Sequence, residues 1–196
     1  MQTLIILGGL PPSPELTRQC FDRADRVIAA DSGYHPLNQC GLTPDLLVGD
    51  FDSIIDHPEN CPFEVIHAPE STATDFEKAL RYLPENTDEL IILGGTGLRS
   101  DHFLTNLLIA AALPGALPVC FIDDLQSIRR ATPQCPIREQ VRPQSIVSMI
   151  PFTRCEGVST RGLHWNLQDA PMSADRQLSQ SNIVEQDLAE ISLNQG

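Results

Sequence analysis

Asp50 and Asp52 stand one residue apart in Gly49-Asp50-Phe51-Asp52-Ser53, directly behind the apolar run Leu46-Leu47-Val48. Two carboxylates so close repel, each raising the pKa of the other, unless a cation lies between them. Hard oxygen donors at the end of a buried strand suit Mg²⁺, which is usually held by a few carboxylates plus the phosphates of a substrate. The alternative is a solvated acidic turn, a common thing at strand ends.

Other residues with the same chemistry follow apolar runs. Thr74-x-x-Glu77 has the form of a capping box, which places Asp75 in the first turn of a helix. Gly94-Gly95-Thr96-Gly97 leads through Arg99 and Ser100 to Asp101 and His102, so that glycine amides and a helix start could receive a phosphate. Ser100 is the expected cap of that helix, and Arg99 could neutralise a phosphate. Gly8-Gly9 and Asp31-Ser32-Gly33 close two further runs. In an open parallel sheet all these turns share the carboxyl rim of the strands, where ligands bind. Asp50, Asp52, Asp75 and Asp101 are then expected to converge.

The elements that must carry these turns are legible as short β-branched runs at Thr3–Leu7, Val27–Ala30, Leu46–Val48, Glu64–His67, Leu90–Leu93 and Val119–Ile122. Helical spacing covers Pro14–Ala24, Thr74–Leu83 and Asp101–Ala112, the last with Leu104, Leu107, Leu108 and Ala111 on one face. Strands alternating with helices predict an α/β domain with a mostly parallel sheet, Rossmann-like, over residues 1–124. Beyond it the helical period disappears. Alternating segments at Ser145–Ile150, Val158–Arg161, Leu163–Leu167, Ile183–Glu185 and Glu190–Leu193 predict a small antiparallel β-sandwich over 125–196, with TPQCPIREQVRP as a connection or edge.

Thirteen Lys and Arg against 26 Asp and Glu give a formal charge of −13, which repels nucleic acid and anionic membrane surfaces. No apolar run approaches the roughly 20 residues a bilayer requires. The first residues enter a strand without a basic leader, and the expected location is the cytoplasm. Six cysteines at least fifteen residues apart, with no CxxC pair, read as ordinary thiols. His35, His57, His67 and His164 have no ligand spacing to one another. The single tryptophan, Trp165, is either a core anchor or a platform for a flat heterocycle, and Ser181-Asn182 offers a hydroxyl and an amide for reading such a ring.

Taken in order, DSGYH (31–35), PDLLVGDFDS (44–53), TDFEKAL (74–80), GGTGLRSDH (94–102) and SN (181–182) resemble the motifs of the thiamin pyrophosphokinase family. The resemblance implies an α/β catalytic domain followed by a β-sandwich that binds thiamin, in a homodimer with shared active sites. It implies transfer of pyrophosphate from ATP to thiamin with Mg²⁺, giving thiamin diphosphate and AMP. Carried over by motif, Asp50, Asp52 and Asp75 form the metal cluster. Asp75, Asp101 and Arg99 are the catalytic candidates. Gly8, Gly9, Asp31, Ser32, Gly33, Thr96, Gly97, Arg99, His102 and Asn106 face ATP, while Trp165, Ser181 and Asn182 face thiamin. Ser32, His35, Ser71 and Thr72 depart from the family pattern, the last pair removing a lysine that could hold a phosphate. Other readings of the same residues are a pyrophosphokinase acting on a different hydroxymethyl heterocycle such as a pterin, a non-catalytic thiamin or nucleotide sensor, and a metal-dependent phosphohydrolase.

Overall fold

The computed structural model describes residues 1–51, 61–176 and 178–196. By contacts the chain forms two compact units, Met1–Ala110 with Val119–Ile128, and Ala111–Pro118 with Arg129–Gly196.

The first unit is built on a seven-stranded sheet in the order β4-β3-β2-β1-β5-β6-β7. Its strands are β1 (Gln2–Ile6), β2 (Arg26–Ala30), β3 (Leu46–Gly49), β4 (Glu64–His67), β5 (Glu89–Leu93), β6 (Val119–Ile122) and β7 (Ser127–Arg129). All the pairings from β4 across to β6 are parallel. Leu4, Ile5, Ile6, Ile28, Leu47, Val48, Leu90, Ile92 and Leu93 are wholly buried, which is why these strands read as continuous apolar runs rather than alternating ones. The chain walks outward from β1 to β4 and then returns to the other side of β1 with β5. The crevice at the carboxyl ends of β1 and β5 is therefore the topological switch point at which open α/β sheets bind ligands.

Among the described residues four helices connect the strands: α1 (Pro14–Phe21), α2 (Tyr34–Gln39), α3 (Asp75–Leu80) and α4 (Ser100–Ala112), with a 3₁₀ turn at Asp31–Gly33 before α2. The 3₁₀ turn and α2 were not expected from the sequence, because His35-Pro36 breaks the apolar period. Helix α3 is shorter than the expected Thr74–Leu83. Thr74 is its cap, and its last turn tightens as Tyr82 and Leu83 donate to Ala79 and Leu80, three residues back, ahead of Pro84. Helix α1 likewise stops at Phe21 rather than Ala24.

The apolar face expected of α4 divides in two. Phe103, Asn106, Leu107 and Ala110 are at least partly buried, at the spacing of one stripe, whereas Leu104 and Leu108 are 55% and 59% exposed. Ser100 begins the helix rather than capping it, and the carbonyl of Arg99 accepts from the Phe103 N–H.

The second unit is antiparallel throughout its sheets. One has the order β11-β10-β13-β8, from β8 (Ile137–Gln140), β10 (Cys155–Arg161), β11 (Ala170–Met172) and β13 (Leu188–Ser192). The other pairs β12 (Ser179–Ile183) with β9 (Ile146–Met149). Leu163, Val184 and Ala189 form the core, joined by Val141 and by Val147, so that both sheets contribute to it. The proline-rich TPQCPIREQVRP supplies β8, an edge strand. Leu163–Leu167 is not the strand its alternation suggested. Only Leu163 makes a bridge, to Val184, and the rest forms a bend closed by the Asn166 side chain, which accepts from the Leu163 N–H and donates to the Leu163 carbonyl.

Candidate functional site

Three turns meet at the carboxyl rim of the first unit. Gly9 donates to the Gly94 carbonyl at 2.7 Å and Leu10 to the Thr96 carbonyl at 2.8 Å, so the turns after β1 and β5 are laced together at the switch point. A Cβ on Gly9 would lie 2.3 Å from the Gly94 oxygen, and only glycine permits this approach. Gly8, Gly9, Ser32, His35 and Leu98 line a groove of about 190 Å³ here. Two side chains expected to face ATP are spent on the turn itself: the Thr96 hydroxyl donates to Asp123 at 2.9 Å, and the Asn106 amide donates to the Gly95 carbonyl at 3.1 Å.

Beside this crevice lies the acidic cluster. Asp31, only 5% exposed, adopts φ 46° and accepts the Phe51 N–H at 3.2 Å, and Phe51 itself adopts φ 63°. Two left-handed non-glycine residues, joined by a hydrogen bond, thus hold the turn that brings Asp50 onto the rim; strained backbone of this kind gathers at functional sites. Asp75 reaches the rim from the first turn of α3, fixed by the expected capping box, in which Thr74 and Glu77 exchange hydrogen bonds.

Between Asp50 and Asp75 stands a residue the motif reading passed over. The Lys78 ammonium lies 3.3 Å from Asp75 Oδ1 and 3.6 Å from Asp50 Oδ2, and its side chain is 3% exposed. Its signal in the sequence is the spacing of three from Asp75, which puts both on one helical face. Burial by itself pulls the Lys78 pKa down, but hydrogen bonding and attraction from Asp75 and Asp50 outweigh it, and the net direction is up. Burial pushes the Asp75 carboxyl up; Lys78 opposes this, while the charges of Asp31 and Asp50 add to it. The two shifts pull the pair in opposite senses. The rise at Asp75 is the direction we stand behind, since burial and the charges of Asp31 and Asp50 act on it together.

Asp101 and Arg99 form a separate pair. Arg99 holds Asp101 in a two-pronged contact at 3.1 and 2.6 Å, both side chains exposed, and this hydrogen bonding lowers the Asp101 pKa to about 2. Asp101 is therefore not drawn into a group with Asp50 and Asp75, as expected of it, because the neighbouring guanidinium claims it. Among the described residues no three His, Cys, Asp or Glu side chains stand close enough to hold a metal ion. Asp52, expected in the cluster, lies outside the described residues. The donor chemistry of the two that are described fits Mg²⁺: hard oxygens from two elements converge on one cationic nitrogen.

In the second unit Trp165 is 58% exposed, so it lies at the surface and is not a core anchor. His164 packs edge-on against it, with ring centroids 4.5 Å apart, and bonds Glu185 through Nδ1. Asn182 is 1% exposed. Its amide oxygen accepts from the N–H groups of Trp165 and Ile183, and its NH₂ donates to the Trp165 carbonyl at 2.8 Å. The residue expected to read a ring thus fixes the backbone that presents Trp165. Ser181, at φ 57°, bonds through its N–H to the Ser148 hydroxyl.

Two family models match the chain: thiamin pyrophosphokinase, catalytic domain, over residues 17–132, and thiamin pyrophosphokinase, vitamin B1 binding domain, over 134–196. A thiamine pyrophosphokinase of Bacillus subtilis is 30% identical over 162 residues, covering 78% of this chain and 75% of the relative. Thiamine pyrophosphokinase 1 of Oryza sativa is 28% identical over 167 residues, and the match spans 62% of its length. Among solved structures, that of the Bacillus subtilis thiamine pyrophosphokinase superposes with a TM-score of 0.84 at 26% identity, covering all of this chain and 95% of that one. Yeast thiamin pyrophosphokinase, at 18% identity, shares the fold with a TM-score of 0.74 over 99% of this chain and 83% of that one.

Proposed function

Because the chain belongs to the thiamin pyrophosphokinase family, we propose that it transfers the pyrophosphoryl group of ATP to the hydroxyl of thiamin, giving thiamin diphosphate and AMP. The observation that carries this reading is the convergence of Asp50 and Asp75 beside the glycine-laced switch point. In the reaction the thiamin oxygen bonds to the β-phosphorus, the bond from that phosphorus to the oxygen it shares with the α-phosphate breaks, and AMP leaves. Phosphoryl transfer of this kind depends chiefly on positioning and charge neutralisation. Asp50, Asp52 and Asp75 would hold Mg²⁺, whose chemistry there is to neutralise phosphate charge. The departing proton would go to a carboxylate of this rim, Asp75 being the candidate that reaches it from the first turn of α3. Asp101, held near 2 by Arg99, is a poor acceptor and serves instead to orient that guanidinium toward the nucleotide.

On this reading residues 1–124 carry the nucleotide chemistry and 125–196 recognise thiamin through Trp165. The protein's field of −13 attracts the thiazolium cation. The exposed Leu104 and Leu108 on α4 support a homodimer, in which shared active sites are expected. No helix among the described residues is long and apolar enough to cross a membrane, and six cysteines outside any disulfide suit the reducing cytoplasm, where we place the protein.

The deciding experiment incubates the protein with ATP, Mg²⁺ and thiamin and follows AMP and thiamin diphosphate together, with thiamin omitted in parallel. Equal formation of both, absent without thiamin, is expected, and Asp50→Asn or Asp75→Asn should lower kcat by about 10²-fold or more. Phosphate release without thiamin would make the protein a phosphohydrolase. Quenching of Trp165 fluorescence by thiamin without any AMP would make it a binding protein.

A further inference from the structure

Lys78 is 3% exposed, yet the side chains it pairs with are 36% exposed for Asp50 and 45% for Asp75. The cation therefore lies on the protein side of the two anions, not on the side from which a ligand arrives. A lysine is almost never buried unless paired, and here the pairing joins two elements: Asp50 follows β3, whereas Asp75 and Lys78 belong to α3. Left without it, two carboxylates facing one another at the rim would repel, and Asp31, whose charge is felt at Asp75, would add to that repulsion.

We infer that Lys78 is a positioning residue: its ammonium is the internal counter-ion that holds Asp50 and Asp75 at one point of the rim before any ligand binds. The inference rests on the proposed function for what the rim does, and on the two ion pairs for how the rim is assembled. Lys78 thus takes the part of a resident cation in the nucleotide-free protein. The repulsion between the two carboxylates is thus already offset in the folded protein, and a divalent ion finds less of it left to relieve.

The test is thermal unfolding of the nucleotide-free protein with and without Mg²⁺ alone, for the parent, Lys78→Met and Lys78→Arg. Lys78→Met should lower Tm by about 3–6 °C. Mg²⁺ should return about half of that loss while moving the parent little, because an ion that binds only the folded state stabilises most where the anions are least compensated. Lys78→Arg, which keeps the charge, should stay near the parent in both respects. In turnover, Lys78→Met should lower kcat by about tenfold, because the carboxylates are no longer held at one point, lower the half-saturating Mg²⁺ as the melts require, and leave the KM for thiamin within about twofold, a split that mere loss of structure would not give.

An Mg²⁺ response in Lys78→Met equal to that of the parent would overturn the inference. A rise confined to the KM for ATP would also overturn it, since Lys78 would then be a phosphate ligand. Should Lys78→Met fail to fold, Lys78→Arg still decides: a lowered Tm that Mg²⁺ rescues supports the counter-ion role, and so does a parental profile, whereas a lowered Tm indifferent to Mg²⁺ refutes it. The melts need no catalysis, so they stand apart from whether the protein makes thiamin diphosphate.

Discussion

Arg99 and Asp101 are both exposed, and their contact is worth little as stability; what it sets is charge. Carboxyl NMR should place the Asp101 titration near pH 2 and find it back near the ordinary value of about 3.9 in Arg99→Gln. The sign follows from the lowered folded-state pKa: whatever the pair contributes is fully present above 3.8 and is lost as pH falls toward about 2. Asn182 is the opposite case, buried and committed to three backbone partners around Trp165. Asn182→Ala leaves those groups unpaired and should cost about 1–3 kcal/mol in denaturant unfolding, with a shift in Trp165 emission that reports the freed loop. At this scale the sequence showed residue types but not allegiances. Asp101 looked like a member of the acidic cluster because a guanidinium two residues away could equally have pointed at a phosphate. Asn182 looked like a reader of rings because nothing in Ser181-Asn182 tells that the amide faces inward.

Helix α3 is only six residues long and carries both Asp75 and Lys78, so its first turn must be held in place by its cap. Thr74→Ala removes the reciprocal hydrogen bonds with Glu77 and should cost about 1 kcal/mol of stability, measured in urea. Turnover should fall further than that loss explains, because Asp75 is the first residue of the helix. The capping box was legible before the structure, since Thr-x-x-Glu has a local meaning. So were the parallel strands β1, β2, β3 and β5, whose apolar runs are buried on both faces, whereas β4 is an exposed edge. Helix α2 and the 3₁₀ turn ahead of it were not legible, because their conformation is set by tertiary contact: a Cβ on Gly33 would lie 2.0 Å from the Ile6 carbonyl oxygen. The bend at Leu163–Leu167 alternates like a strand, yet Asn166 satisfies its backbone locally. Lys78 escaped notice for a related reason. Its pairing with Asp75 is local, but its pairing with Asp50 depends on where β3 ends.

Over the whole molecule, the homodimer proposed above has one candidate contact in the exposed Leu104 and Leu108 of α4. If Leu104 and Leu108 lie in a homodimer interface, the doubly substituted Leu104→Glu, Leu108→Glu protein should sediment as a monomer while keeping its secondary structure, and the parent should sediment as a dimer. A parent that sediments as a monomer would leave these leucines without that role. The sheet order carries a different consequence, one of timing. Strands β2, β3 and β4 each pair with the strand made just before, but the other edge of β1 waits for β5, and Gln2 meets Glu89 across 87 residues. Closing so long a loop is slow compared with pairing neighbours. During synthesis Asp31 and Asp50 emerge well before Gly94, and the glycine lacing between Gly9 and Gly94 cannot form until β5 has docked. A nascent chain therefore carries Asp31 and Asp50 for some time with no glycine turn beside them, and the central seam between β1 and β5 closes only once β5 has been made.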